Sequence, residues 1–345
     1  MKTIDSGNKY ITVILMLCLI LILAACGAEK EAEYSSIDFF AMDTVMNVTA
    51  YGAPQELVDS FAGFASELEN RLSTTVETSD ISVLNSTGTA VLSENTAFVL
   101  KNALKYCDLT EGALDITVYP VVKAWGFTTD NYRVPDKKEI CGLLEHVDHR
   151  LVSIAADNTA SVPPGMQIDL GSVAKGYCSD CISQTLKEAG IKSALINLGG
   201  NVQTVGSKPD GSNWNIGIKQ PQGDGLIGTV SVSDAAVISS GGYERFFTDE
   251  NGIVRWHIID PASGYPADSG LVSATAVGGS GMYCDALSTA LFVMGEEKAA
   301  EFWRQRGDFE MILVTDDGYL VISEGLSDSF IPDSRYMFRK RVVGK

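Results

Sequence analysis

Residues 282–295 read MYCDALSTALFVMG. The run is apolar enough to be a buried helix, yet Asp285, Ser288 and Thr289 stand at i, i+3 and i+4 and so share one helical face. Burying a carboxylate and two hydroxyls costs stability unless partners meet them. Whatever packs against this helix must therefore bring donors, a cation, or both.

The 345 residues, 45% hydrophobic and 20% charged, suit one large or two moderate domains with ample core. A net charge of −18 lacks the basic face that nucleic acid requires, so no nucleic-acid partner is expected. Lys2 and Lys9 lead into ITVILMLCLILILAA, an apolar run of 15 residues, short for a membrane span but suited to a signal peptide. It ends in LAAC, which resembles the lipobox of bacterial lipoproteins, with a small residue before Cys26. The expectation is a signal peptide over 1–25, a lipid-anchored tether over 26–36 and a functional domain over 37–345, outside the cytoplasm at the cell membrane. An uncleaved anchor is the alternative. Five cysteines then remain, Cys107, Cys141, Cys178, Cys181 and Cys284, so at least one thiol stays free. The C-x-x-C of YCSDC lies in a helical pattern with no second ligand pair at zinc spacing, which favours buried free thiols over a metal site.

The periodicity predicts a strand in FFAMDTVMNVTAYG and amphipathic helices in PQELVDSFAGFASELENRLS, NTAFVLKNALKYCDLTEG (capped by Asn95 or Thr96) and DKKEICGLLEHV. MQIDLGSVAKG passes from strand to helix, and SALINLGGNVQTVG is two strands around a glycine turn. Strands follow in WNIGIKQP, GTVSVSDAAVISS, WHIIDP and GLVSATAVGG, then two helices and a hairpin turned at Asp-Asp-Gly. Hairpin strands mixed with helices imply an α+β fold with mainly antiparallel sheets.

Four stretches place chargeable residues beside glycine. In EGALDITVYP, Asp115 is expected to open a strand; in IDLGSVAKGY, Asp169 ends a strand and Lys175 enters a helix whose first amides suit an anion. SSGGYERFF offers small residues and Arg245, and WHIIDPASGYP offers His257. Each has a plain alternative as a cap, a solvated residue or a hydrogen-bonded strand residue. His146 and His149 have metal-like spacing without a partner motif and read as surface residues.

Taken in order, these stretches resemble the ApbE family of FAD:protein FMN transferases, bacterial extracytoplasmic enzymes. AMDTVMNVTAYG, ENRLSTTVETSDISVLN, GALDITVYPVVKAWGF, IDLGSVAKGY, ALINLGGNV, WNIGIKQP, SSGGYERFF, HIIDPASGYP and CDALSTALFVMG carry the likeness over about residues 40–295. The resemblance implies a T-fold-related architecture and transfer of FMN from FAD to a Ser or Thr hydroxyl of an acceptor protein, releasing AMP. It assigns Mg2+ to Asp285, Ser288, Thr289 and the Ser172 carbonyl, and FAD contacts to Met42, Ala113, Leu114, Asp115, Asp169, Lys175 and Ile259. His257 takes the catalytic histidine position, with an ordinary imidazole pKa expected. Acceptors would be subunits of membrane electron-transfer complexes. The chain departs from the family at Asp43, where a glycine is usual, at Thr75, where an aromatic is usual, and at the Gly-Ser of the strand-helix turn. The alternatives are FAD hydrolysis to FMN and AMP, and a flavin-binding lipoprotein without catalysis.

Overall fold

Two strands stand where the periodicity suggested one. The computed structural model describes residues 32–221, 223–335 and 339–345. The expected signal peptide and Cys26 lie outside them. FFAMDTVMNVTAYG holds the end of β1 (Tyr34–Ala41) and all of β2 (Thr44–Tyr51), antiparallel with Ala41 opposite Thr44. Met42 and Asp43 form the two-residue loop, with φ of 49° and 59°. Such a loop matches the twist of its strands, but its usual marks are Asn and Gly, so Met-Asp conceals it. β1 begins at Tyr34, inside the stretch read as tether.

α1 (Gln55–Leu72) buries Val58, Phe61, Ala65, Leu68 and Leu72 at helical spacing. α2 (Asp80–Thr87), β3 (Thr89–Val91) and α3 (Glu94–Leu109) follow. The α3 cap is Ser93, which accepts from Thr96 N, rather than Asn95 or Thr96, because only Ser93 precedes the first helical residue. Asp115 opens no strand. Its carboxylate caps a 3-10 turn, Ile116–Val118, that leads to α4 (Tyr119–Ala124) and α5 (Lys137–Leu144). β4 (Ser153–Ile154) and β5 (Thr159–Ser161) complete a small sheet with β3. MQIDL is not a strand either. The Asn85 side chain takes both Ile168 N and Ile168 O, at 2.7 and 2.8 Å, in place of a strand neighbour. α6 (Gly171–Glu188) starts directly after it.

β6 (Ala194–Leu198) and β7 (Asn201–Val205) turn at Gly199–Gly200. Then come β8 (Trp214–Lys219), β9 (Leu226–Val232), β10 (Ala236–Gly241), β11 (Phe246–Thr248), β12 (Val254–Trp256) and β13 (Leu271–Gly278). Of WHIIDP only Trp256 is in a strand; Ile259 makes a single bridge to Pro266. α7 (Gly281–Arg306) breaks at Gly295, whose φ is 75°, between the two helices expected there. β14 (Glu310–Thr315) and β15 (Tyr319–Ser323) form the expected hairpin, followed by β16 (Phe330–Pro332) and β17 (Arg339–Val343).

A nine-stranded sheet runs β1-β2-β6-β7-β10-β13-β14-β15-β17, antiparallel except for the β15–β17 pair. Alternation assigns its faces. Ala236 and Ile238 of β10 pack with Leu287 and Leu291 of α7, whereas Val237 packs with Trp214, Ile216 and Val230 of the β16-β9-β8 sheet. A small separate core gathers Val121, Trp125, Phe127, Ile140 and Ile259. This is the expected α+β architecture of mainly antiparallel sheets flanked by helices.

Candidate active site

α6 and α7 meet at two glycines. A Cβ on Gly176 would lie 2.3 Å from Gly281 O and 2.8 Å from Asp285 Cβ, so only glycine permits this approach. It lets Gly176 N donate to Asp285 Oδ2 at 2.9 Å. In a regular helix that N–H belongs to the Ser172 carbonyl. Asp285 therefore competes for the carbonyl's usual donor. Asp180 secures the same crossing, accepting from Ser280 Oγ (2.8 Å), Gly281 N (2.6 Å), Met282 N (2.9 Å) and Gln203 Nε2 (2.9 Å). Sequence reasoning missed Asp180, because its partners are distant in the chain and no local spacing announces them.

The polar face of α7 meets Ser240 of β10. Ser240 Oγ lies 2.8 Å from Ser288 Oγ and 3.3 Å from Thr289 Oγ1, and Ser288 Oγ also donates to Asp285 O at 2.9 Å. Asp285 is only 5% exposed. Burial pushes its pKa up, against the charge of Lys175, the Gly176 bond and neighbouring Asn201. Asn201 Nδ2 is itself buried without a hydrogen-bond partner. Among the described residues no cluster of three or more His, Cys, Asp or Glu is placed to hold a metal. The donors here are one under-paired carboxylate, hydroxyls and a carbonyl. That set cannot close a shell alone, but it fits magnesium, which keeps water and substrate phosphate as its other ligands.

Lys175 of α6 lies near enough for its charge to act on Asp285, Asp169 and His257 together. Asp169 Oδ1 accepts from Gly171 N at 3.0 Å, while burial raises its pKa. His257 departs from the expected ordinary pKa. Burial pushes it down to about 4, and the charges of Arg245 and Lys175 push the same way. Its Nδ1 lies 3.2 Å from Arg245 O, which assigns the proton to Nδ1 and leaves Nε2 as a free base. At neutral pH this imidazole is uncharged and able to accept a proton.

The remaining candidates surround that centre. Ile116 O accepts from Asp169 N at 2.9 Å, which ties the Ala113, Leu114 and Asp115 turn to the start of α6. Asp115 is fully engaged: Oδ1 accepts from Thr117 N (2.8 Å) and Thr117 Oγ1 (2.5 Å), and Oδ2 from His149 N (3.1 Å) and His149 Nδ1 (2.8 Å). Burial alone would raise its pKa, but these bonds outweigh it and hold the pKa low. His149 is thus not a surface residue; it is 8% exposed. His146 remains half-buried. The Met42 loop abuts the β6–β7 turn, where a Cβ on Gly199 would sit 2.3 Å from Thr44 Oγ1. Ile259 belongs to the small core beside His257, and Phe127 lies edge-on to the histidine ring at 6.4 Å. Thr75 is exposed and bonded to Ser73. All five cysteines are free, with Cys107, Cys178 and Cys284 buried.

The chain and its α+β frame match known proteins. The ApbE family model matches residues 42–313. A Vibrio cholerae protein named FAD:protein FMN transferase is 31% identical over 326 residues, covering 90% of this chain and 96% of that protein. A Klebsiella pneumoniae protein of the same name is 38% identical over 233 residues, 66% of this chain and 71% of its own length. Among solved structures, the ApbE protein of Thermotoga maritima aligns with a TM-score of 0.80 at 31% identity, over 85% of this chain and 98% of that one. The chain belongs to the ApbE family.

Proposed function

We propose that this chain transfers FMN from FAD to a Ser or Thr hydroxyl of an acceptor protein, releasing AMP, with magnesium bound. That it is a flavin transferase is supported by the shared name of its relatives; the acceptor residue, metal and leaving group are the present reading. The observation that carries it is His257, whose Nδ1 is bonded to Arg245 O so that Nε2 is left as a base, together with the buried Asp285, which takes Gly176 N across the α6–α7 crossing; the Lys175 charge acts on both. Asp285, Ser288, Thr289 and the Ser172 carbonyl would hold the metal, and Met42, Ala113, Leu114, Asp115, Asp169, Lys175 and Ile259 would line the FAD site. Since the Asp115 carboxylate is saturated, its part in that lining falls to the backbone of its turn. Bound magnesium supplies charge neutralisation at the pyrophosphate oxygens.

In the step itself the acceptor oxygen bonds to the FMN phosphorus and the bridging P–O bond breaks. The bridging oxygen leaves on AMP. His257 Nε2 takes the hydroxyl proton. Lys175 and the first amides of α6 hold the pyrophosphate in line for that attack.

The test incubates the protein with FAD, Mg2+ and a candidate acceptor from a membrane electron-transfer complex. AMP is followed by chromatography and the acceptor by intact mass. An FMN adduct with equimolar AMP supports the reading. AMP without acceptor indicates hydrolysis, and unchanged FAD indicates a passive holder; either outcome overturns it. We also propose that Cys26 is lipidated and anchors the protein outside the cytoplasm. Cys26→Ser should then leave the membrane fraction and keep its activity in solution, and an unmodified Cys26 mass in native membranes would refute the anchor.

A further inference from the structure

His149 is held between two carboxylates that belong to different segments. Its Nδ1 lies 2.8 Å from Asp115 Oδ2 and its Nε2 lies 3.0 Å from Asp108 Oδ1. A neutral imidazole has one N–H donor, so one ring nitrogen would point its lone pair at a carboxylate. The imidazolium satisfies both contacts. From this residue the bonded path is continuous: His149 to Asp115, Asp115 to the Thr117 turn, Ile116 O to Asp169 N, and Asp169 Oδ1 to Gly171 N at the start of α6.

We infer that His149, as an imidazolium bridging Asp108 and Asp115, is a positioning residue that fixes the Ala113–Asp115 turn and the Asp169–Gly171 turn for FAD. The inference rests on the flavin-transfer reading above. His149 reaches no reacting atom; it acts on substrate binding through the two turns. The charged and titratable groups around it are few. α3 contributes Asp108, which is exposed, and Cys107, whose thiol burial pushes far up; the turn contributes Asp115; and its own segment contributes Asp148 and Arg150, paired with each other at 2.7 Å. The Asp115 contact, ahead of the opposing effect of burial, raises the His149 pKa. The clamp therefore persists to higher pH than a free imidazole would allow and is lost as pH rises through that elevated value.

FAD affinity is measured by flavin fluorescence between pH 6 and 10 for wild type, His149→Ala and His149→Gln, with thermal stability and turnover at saturating FAD on the same preparations. Wild type should bind FAD less tightly at alkaline pH. His149→Ala should weaken binding on the order of tenfold to a hundredfold, the usual effect of a misplaced binding element, while keeping most of its turnover at saturation. His149→Gln, which retains one donor to Asp115 without a titratable ring, should recover part of the affinity and lose the alkaline limb. If His149→Ala fails to fold, the His149→Gln profile and the imidazole 15N shifts of wild type at pH 7 decide. Wild-type affinity and pH profile in a folded variant, equal losses of stability and turnover with FAD binding unmoved, or a neutral ring by NMR overturns the inference. Absence of FAD binding in wild type overturns the flavin reading, and this inference with it.

Discussion

Asp115 and Asp285 are both buried carboxylates, and the protein treats them oppositely. Asp115 accepts four hydrogen bonds, two on each oxygen, and its pKa is held low. Asp285 accepts one well-formed bond, from Gly176 N, while the Asn201 amide lies close enough to ease its charge without reaching full hydrogen-bond geometry, and burial raises its pKa. A carboxylate with every lone-pair direction answered belongs to the framework. One left short of partners in a buried setting destabilises the fold and persists where a ligand completes it. On the proposed function, the difference separates the parts that shape the site from the part that a bound ligand would complete.

The largest expected effect comes from removing the under-paired member. Asp285→Ala should lower transfer by on the order of 10³, the scale set by loss of one electrostatic stabiliser, with melting temperature unchanged or raised because an uncompensated buried charge is gone. Circular dichroism melts alongside AMP release check both halves. A protein that unfolds instead places Asp285 in the framework with Asp115.

His257→Ala should cost roughly 10²-fold or more in single-turnover transfer while FAD affinity holds. The wild-type rate should stay level from pH 9 down to pH 6, then fall as pH approaches about 4, where burial has moved the imidazole. The mutant should lack that acid limb. A wild-type limb centred near an ordinary imidazole pKa would show that His257 is solvated in the working enzyme.

Asp115→Ala inverts the pattern seen at Asp285. It leaves His149 buried without its main partner and should destabilise the fold by about 3 kcal/mol, measurable by urea unfolding. The smallest effect is in pH dependence. A carboxylate whose folded pKa is raised stabilises the fold below its unfolded value, and that stability is lost as pH rises through the folded one. The ligand-free stability difference between wild type and Asp285→Asn should therefore favour wild type most in acid and shrink towards neutrality. Asp115, with a depressed pKa, contributes in the opposite sense: its stabilisation is present above the ordinary carboxylate value and disappears in strong acid.

These residues were unequally legible in the sequence. The i, i+3, i+4 pattern of Asp285, Ser288 and Thr289 is local, so the polar face showed directly, although its partner Ser240 did not. The α+β frame was likewise carried by periodicity within each segment. What stayed hidden depended on contacts distant in the chain. Asp180 drew no notice within its helical stretch, His149 read as a surface residue, and MQIDL as a strand, whose neighbour proved to be the Asn85 side chain. Desolvation of the half-buried His257 ring lowers its pKa, and that surrounding cannot be read from the residues flanking it.

The first hairpin also sets a length. β1 runs from Tyr34 to the Met42 loop, so that loop stands a strand of 8 residues, about 26 Å, beyond the point where the chain enters the fold. From Cys26 to Tyr34 there are 8 further residues, at most about 28 Å when extended. If Cys26 carries the proposed lipid, those residues set the greatest distance from the bilayer at which the fold can begin. On that reading, an acceptor hydroxyl held close to the membrane suits the enzyme better than one raised far above it.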